Sequence, residues 1–249
     1  MGQAGGVTTA PRPAFYALAR GGWRDYVTLL HPPYTLWHLS YVVVGATLAP
    51  HVDWTVLGLT LAAFAFGLGI GAHALDELRG RPLRTAIPAH VLVALAVGSV
   101  AAAAVIGVAV ALDRTLWLLA FVAAGSFLVA AYNLELAGGR FHTDTWFGLS
   151  WGAFPVLTGY FAVAERLRWD AAVAAAFATL LSLAQRTLSS EVRTIRRATV
   201  SVAGTVEHSD GTSTPLDAGR LTRTPERALR LLTATVVTLA VALVVHRLV

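Results

Sequence analysis

The chain contains no cysteine, which excludes disulfides and thiol chemistry. It contains no lysine either. All 19 basic residues are arginine, which excludes Schiff-base catalysis and fits a GC-rich genome. Charge of either sign is scarce: 13% of residues are charged, where a soluble domain carries about 25%. Short alternating strands separated by turns are missing, which excludes an outer-membrane-type barrel. Residues 1–30 lack the basic, then apolar, then small order of a cleavable signal peptide, and none is expected.

What fills the 249 residues instead is long apolar runs, 56% of the composition being hydrophobic. The runs predict an all-α polytopic membrane protein with seven transmembrane helices, at about 34–50, 54–73, 87–111, 115–133, 145–163, 169–188 and 228–246. Residues 1–12 are Gly/Thr/Pro-rich and read as a disordered tail. Residues 13–30 mix aromatics with arginine and read as a helix lying in the interface, so that 1–30 precede a bundle of 31–249. Seven spans place the termini on opposite sides. With the N-terminus inside, only Arg114, Arg166, Arg168 and Arg247 fall outside. That asymmetry places the chain in the cytoplasmic membrane of a bacterium with its N-terminus cytoplasmic. The net charge of +5 is then a topology signal, with no nucleic-acid partner.

The outer loops are very short, so the polar chemistry belongs to the cytoplasmic side. In the longest inner loop, 189–227, Arg193, Arg196 and Arg197 follow a helical i, i+3, i+4 spacing. The alternation of residues 199–212 around Asp210-Gly211 predicts a small β-hairpin. Thr224-Pro225-Glu226 reads as an N-cap with proline at the first helical position, opening the last helix.

Three inner connections bring acids, amides or imidazoles to membrane level. The first holds His73, Asp76, Glu77, Arg79 and Arg81, with the first three on one helix face. The second holds Asn133, Glu135, Arg140, His142 and Asp144, and the third Gln185, Arg186 and Glu191. His31 and His38 mark the same end of the first span. Ionisable groups at such depths are costly unless paired or wet, which makes a functional site the default reading. Arg79, Arg84, Arg193 and Arg197 are accounted for by topology alone, and Trp146, Trp151, Tyr160 and Phe161 by packing. The expectation is a water-reachable polar pocket over a greasy channel.

Four stretches, in this order along residues 23–190, resemble the UbiA superfamily of intramembrane prenyltransferases. Leu30-His31-Pro32-Pro33-Tyr34 through Val44-Gly45-Ala46 is similar to that family's first helix. The polar end of the second span with Arg81-Pro82-Leu83 is similar to its Asn-Asp-x-x-Asp motif and downstream Arg-Pro-Leu. Ala131-Tyr132-Asn133 resembles the end of its fourth helix, and Gly148 to Gly159 its Gly-rich fifth. The resemblance implies a prenyl diphosphate held through Mg²⁺ between two acidic motifs, an isoprenoid tail in a groove, and an alkylated acceptor. It implies Asp76 and Glu191 as Mg²⁺ ligands, with His73 beside them in the catalytic set. Arg81, Arg140 and Arg186 then hold the diphosphate, and Tyr132 and Asn133 line the pocket. The chain departs from the family at Ala72 and His73, where Asn and Asp are usual. It departs again in the second motif, Ala184 to Glu191, and in showing seven spans where nine are usual. A terpene cyclase of the same family is one alternative. Another is a re-used fold in which His73, Asp76, Glu77, Glu135, His142 and Glu191 bind Zn²⁺, Fe or Mn²⁺ for a different lipid reaction. A third is a non-catalytic subunit docking through 189–227. Prenyl length, acceptor and oligomeric state are not legible.

Overall fold

A computed structural model describes residues 12–249; the expected disordered tail lies almost wholly outside that range. About 74% of the chain is helical. A short helix α1 (Trp23–Leu29) is followed by α2 (Pro32–Leu48), α3 (Trp54–Leu78), α4 (Ala89–Asp113), α5 (Leu118–Asn133), α6 (Asp144–Ala164) and α7 (Trp169–Ala198). A hairpin of β1 (Gly204–Glu207) and β2 (Ser213–Leu216) precedes α8 (Ala218–Leu248). Five of these helices, α3, α4, α6, α7 and α8, are long and apolar enough to cross a membrane. The chain is a helical membrane protein.

Helix starts follow local chemistry. Pro32 and Pro33 occupy the first turn of α2, where no amide hydrogen is needed. Asp53 caps α3 by accepting from the amides of Thr55 (3.0 Å) and Val56 (3.1 Å). Thr143 caps α6 through the Trp146 amide. The last helix starts earlier than its Thr-Pro-Glu signal suggests. Asp217 caps it by accepting from the Arg220 amide at 2.7 Å, and Pro225 lies inside the helix. A well-made cap two turns upstream outweighs one proline, whose missing amide costs a single ladder bond there. Within the expected interfacial segment 13–30 only Trp23–Leu29 is α-helical; Pro13 to Tyr16 run as a bent strap across one end of the bundle. The hairpin turns at Gly211 (φ +82°), with Asp210 accepting from Thr212 N and Oγ1.

The bundle is centred on α2 against α6. Gly45 of α2 faces the Val156 carbonyl of α6, and Gly159 of α6 faces the Val42 carbonyl of α2. In an apolar solvent, helices associate through such backbone approach rather than through burial of oil from water. Trp37, Tyr41, Val156 and Val236 form the neighbouring core with α7 and α8. At the end away from the strap, Arg114 pairs with Asp53 (3.3 Å) and Glu165 (3.2 Å), and Arg247 donates to the Thr47 and Ala49 carbonyls. Both α3 and α6 widen into π-turns, at Ala65–Ala72 and Gly148–Ala153. Such turns concentrate at functional sites because they rotate the following side chains out of α-helical phase.

Candidate functional site

At the strap end, a polar cavity of about 220 Å³ opens where α2 and α6 begin and α3, α5 and α7 finish. Helix α3 supplies His73 and Asp76, α5 supplies Tyr132, and the α5–α6 connection supplies His142. Helix α7 contributes Gln185, Arg186, Ser189, Arg193 and Arg197; the strap closes the cavity with Phe15 and Tyr16.

His31 sits at the N-cap of α2 in the left-handed region, φ 45° and ψ 57°. A non-glycine residue pays about 1 kcal/mol or more there, and a residue before proline ordinarily lies in the extended region. The strain places a buried imidazole (8% exposed) flat against His73, with ring centroids 4.1 Å apart and planes 7° from parallel. Its Nδ1 lies 2.8 Å from the Tyr16 hydroxyl, and its buried Nε2 has no partner among the described residues. Stored strain of this kind concentrates at working sites.

Three further imidazoles share one arrangement. Nδ1 of His38, His73 and His142 donates to the carbonyls of Trp151 (2.8 Å), Gly69 (3.0 Å) and Tyr132 (3.0 Å). A carbonyl only accepts, so in each neutral ring the proton is on Nδ1 and Nε2 remains a free acceptor. Burial pushes His31 well below the ordinary histidine value of 6.5, and the charges of His73, Arg197 and Arg193 push the same way. The unfolded chain therefore binds a proton at His31 that the folded chain refuses. This term leaves stability intact above about pH 6.5 and removes it as pH falls below that value. Thermal midpoints should fall between pH 7 and pH 5 and fall less in His31→Gln. Equal acid sensitivity of the two proteins would contradict the placement of His31.

Arginines dominate the charge of the cavity. Arg186 donates from Nε to Asp144 and from Nη1 to the Tyr132 hydroxyl, and its guanidinium lies 5.0 Å from the Phe147 ring centre. Arg193 donates to Ser189 Oγ (3.2 Å) and Ser190 Oγ (2.7 Å), and Arg197 to the Pro13 carbonyl (3.2 Å). Among the described residues, neither Arg193 nor Arg197 has a carboxylate within 4.0 Å. Among the described residues, Asp76 is the one acid on the cavity wall.

A second, apolar cavity of about 110 Å³ runs between α3, α4, α5 and α6. It extends from Leu68, Val129 and Trp151 toward Thr60, Leu118 and Ala162 near the opposite helix ends. Its wall follows α4 from Val100 to Val110, about 15 Å at the helical rise. Leu68 and Trp151 line both cavities, so the groove adjoins the polar chamber at that pair.

No protein-family model, curated protein or solved structure matches the chain. The geometry alone therefore carries the functional argument.

Of the residues that the sequence singles out, the fold brings His31, His38, His73, Asp76, Tyr132, His142, Gln185 and Arg186 to one cavity. It places Glu77, Arg81, Asn133, Glu135, Arg140 and Glu191 elsewhere. Glu77 is fully buried on the far side of α3 and accepts from Leu83 N (2.9 Å), Thr85 N (2.8 Å) and Thr85 Oγ1 (2.8 Å), pinning the α3–α4 loop. Arg81 donates to the Ile87 carbonyl in the same loop. Glu135 pairs with Arg79 at the surface, Arg140 is exposed, and Asn133 donates to the Val129 carbonyl. Glu191 is exposed because it lies on the face of α7 opposite Ser189 and Arg193. Among the described residues, no three His, Asp or Glu side chains are grouped to hold a metal ion. The sets expected for Mg²⁺, and for Zn²⁺, Fe or Mn²⁺, are not assembled.

Glu77→Ala should thus lower stability by about 3 kcal/mol, since three buried donors lose their acceptor. Ligand affinity of the folded fraction should stay at the wild-type level. A variant that folds normally but loses binding would return Glu77 to the site.

The residues that sequence reasoning passed over are Tyr16 and Tyr34, together with Arg193 and Arg197, which it assigned to topology. Arg193 and Arg197 carry a usable signal: they follow Arg186 by seven and eleven positions, in phase on one helical face. Tyr16 carries none, because the strap reaches the cavity by a chain reversal.

Proposed function

We propose that this protein is a UbiA-like membrane transferase that moves a prenyl group from a prenyl diphosphate to a small or lipid acceptor. In this reading all seven long helices, α2 to α8, span the bilayer, the N-terminus is cytoplasmic, and the strap closes the site at the cytoplasmic face. One observation carries the reading: a cationic chamber adjoins an apolar groove, with Leu68 and Trp151 on the wall of both. That shape and charge fit an amphiphile with an anionic head and a long hydrocarbon tail.

The chemistry follows from the walls. The allylic C–O bond breaks and its electron pair leaves with the diphosphate, which the guanidiniums of Arg186, Arg193 and Arg197 stabilise. The carbocation lies at the junction, beside Trp151 and Tyr132, whose rings are 5.5 Å apart; aromatic faces stabilise such a cation and the groove excludes water. The acceptor's nucleophilic atom forms the new bond to the allylic carbon. Its proton passes to a free Nε2, on His73 or His142, in the same chamber.

The test is turnover. Purified protein in lipid nanodiscs is given labelled prenyl diphosphates from geranyl to decaprenyl, with a membrane lipid extract as acceptor source. Prenylated product and released pyrophosphate are the expected result. Failure to bind or consume any member of the series ends this reading.

A further inference from the structure

Resting on that reading, we infer that the anionic head is held by a clamp of arginines acting without a divalent cation: Arg193 and Arg197 supply the charge that Mg²⁺ would supply between two acidic motifs.

A divalent ion bridging a diphosphate to protein takes carboxylate oxygens from both sides of the site. Here α3 offers Asp76 and α7 offers no acid, because Glu191 points out of the cavity. Of the other acids near this end, Asp144 is engaged by Arg186 and Glu77 by the α3–α4 loop. The residues present do not fit a Mg²⁺ cage. They fit the opposite arrangement. Asp76 faces Arg186, Arg193 and Arg197 across one chamber, leaving a surplus of positive charge even after Asp144 neutralises Arg186. Cations removed from water are normally paired. Among the described residues, Arg193 and Arg197 are held only by serine hydroxyls and a backbone carbonyl, so their forks are positioned but not neutralised. The missing partner is an oxyanion, and planar guanidiniums grip phosphate oxygens in pairs.

The surplus has a second support. One buried polar atom on the chamber wall, His31 Nε2, has no partner among the described residues. With the Tyr16 hydroxyl donating to Nδ1, the neutral ring carries its proton on Nε2 and presents an N–H to an oxyanion.

The experiment is a binding titration of full-length protein in phosphatidylcholine nanodiscs. Geranylgeranyl diphosphate is titrated once with millimolar Mg²⁺ and once with EDTA, and inorganic pyrophosphate is titrated under EDTA. The clamp predicts that the two geranylgeranyl diphosphate affinities agree within about threefold. It predicts that Arg193→Gln with Arg197→Gln weakens binding about a hundredfold or more. Inorganic pyrophosphate should bind more weakly than the prenyl diphosphate, since it leaves the groove empty. Binding that tightens more than about tenfold with Mg²⁺ overturns the clamp and leaves the lipid-diphosphate reading in place. No binding of geranylgeranyl diphosphate under either condition overturns both. Equal affinity for pyrophosphate keeps the clamp and removes the groove from the proposed function. The Mg²⁺ and EDTA arms use wild-type protein, so the outcome does not depend on whether the arginine variants fold.

Discussion

Gly159→Leu leaves no folded protein to purify. A Cβ at Gly159 would sit 2.3 Å from the Val42 carbonyl oxygen and 3.0 Å from its carbon, and one at Gly45 would sit 2.0 Å from the Val156 oxygen. The obstacle in both cases is backbone, which cannot rotate aside as a side chain can. Helices α2 and α6 must separate to admit a leucine, and the cores on either side of this contact, around Tyr160 and around Trp37, separate with them. Overpacking an ordinary core costs about 1–3 kcal/mol. Here the displaced unit is a whole helix, and a cost of about 5 kcal/mol equals the entire stability of many proteins. Size-exclusion chromatography in mild detergent checks this, with Gly58→Leu as the comparison, because no atom lies within 4 Å of a Cβ built there. A monodisperse Gly159→Leu protein with wild-type melting would mean that the two helices do not meet as described.

Asp76→Ala should fold normally and lose about a hundredfold or more of the proposed prenyl transfer, the usual range for removing a positioned catalytic group. Asp76 has no structural duty to lose: it makes no ion pair within 4.0 Å among the described residues, in contrast to Glu77 beside it. As a carboxylate on the chamber wall among guanidiniums and imidazoles, it is placed to orient an acceptor's donor group and to fix the charge of the chamber. Turnover of Asp76→Ala within about twofold of wild type would place the reacting groups elsewhere. The pair Asp76→Ala and Glu77→Ala is informative together. One loses rate without stability and the other stability without binding, although both acids sit on the same helical turn.

That pair also shows where sequence reasoning reaches and where it ends. Helical spacing places His73, Asp76 and Glu77 on one side of α3, spread over about 100° of arc. Which edge of the arc faces the chamber is set by the π-turn at Ala65–Ala72 and by the loop that folds back to donate to Glu77. Neither leaves a periodic trace. Glu191 fails in the same way: it is the only acid in its motif, yet the phase of α7 turns it outward. Arg193 and Arg197 show the reverse. Read as topology charges, they line the chamber because α7 continues past the apolar run to Ala198.

By itself, the sequence determined that this is a helical membrane protein, that its polar groups gather at one end of the helices, and that His73 and Asp76 belong to that end. Apolar run length and helical period decide such matters locally, within one segment at a time. Only the tertiary structure decided that the acids expected to cage a metal are dispersed, that a strained His31 stacks on His73, and that the cationic chamber adjoins an apolar groove. Those properties depend on helix phase, π-turns and chain reversals, which bring together side chains more than a hundred residues apart, as His38 and the Trp151 carbonyl are.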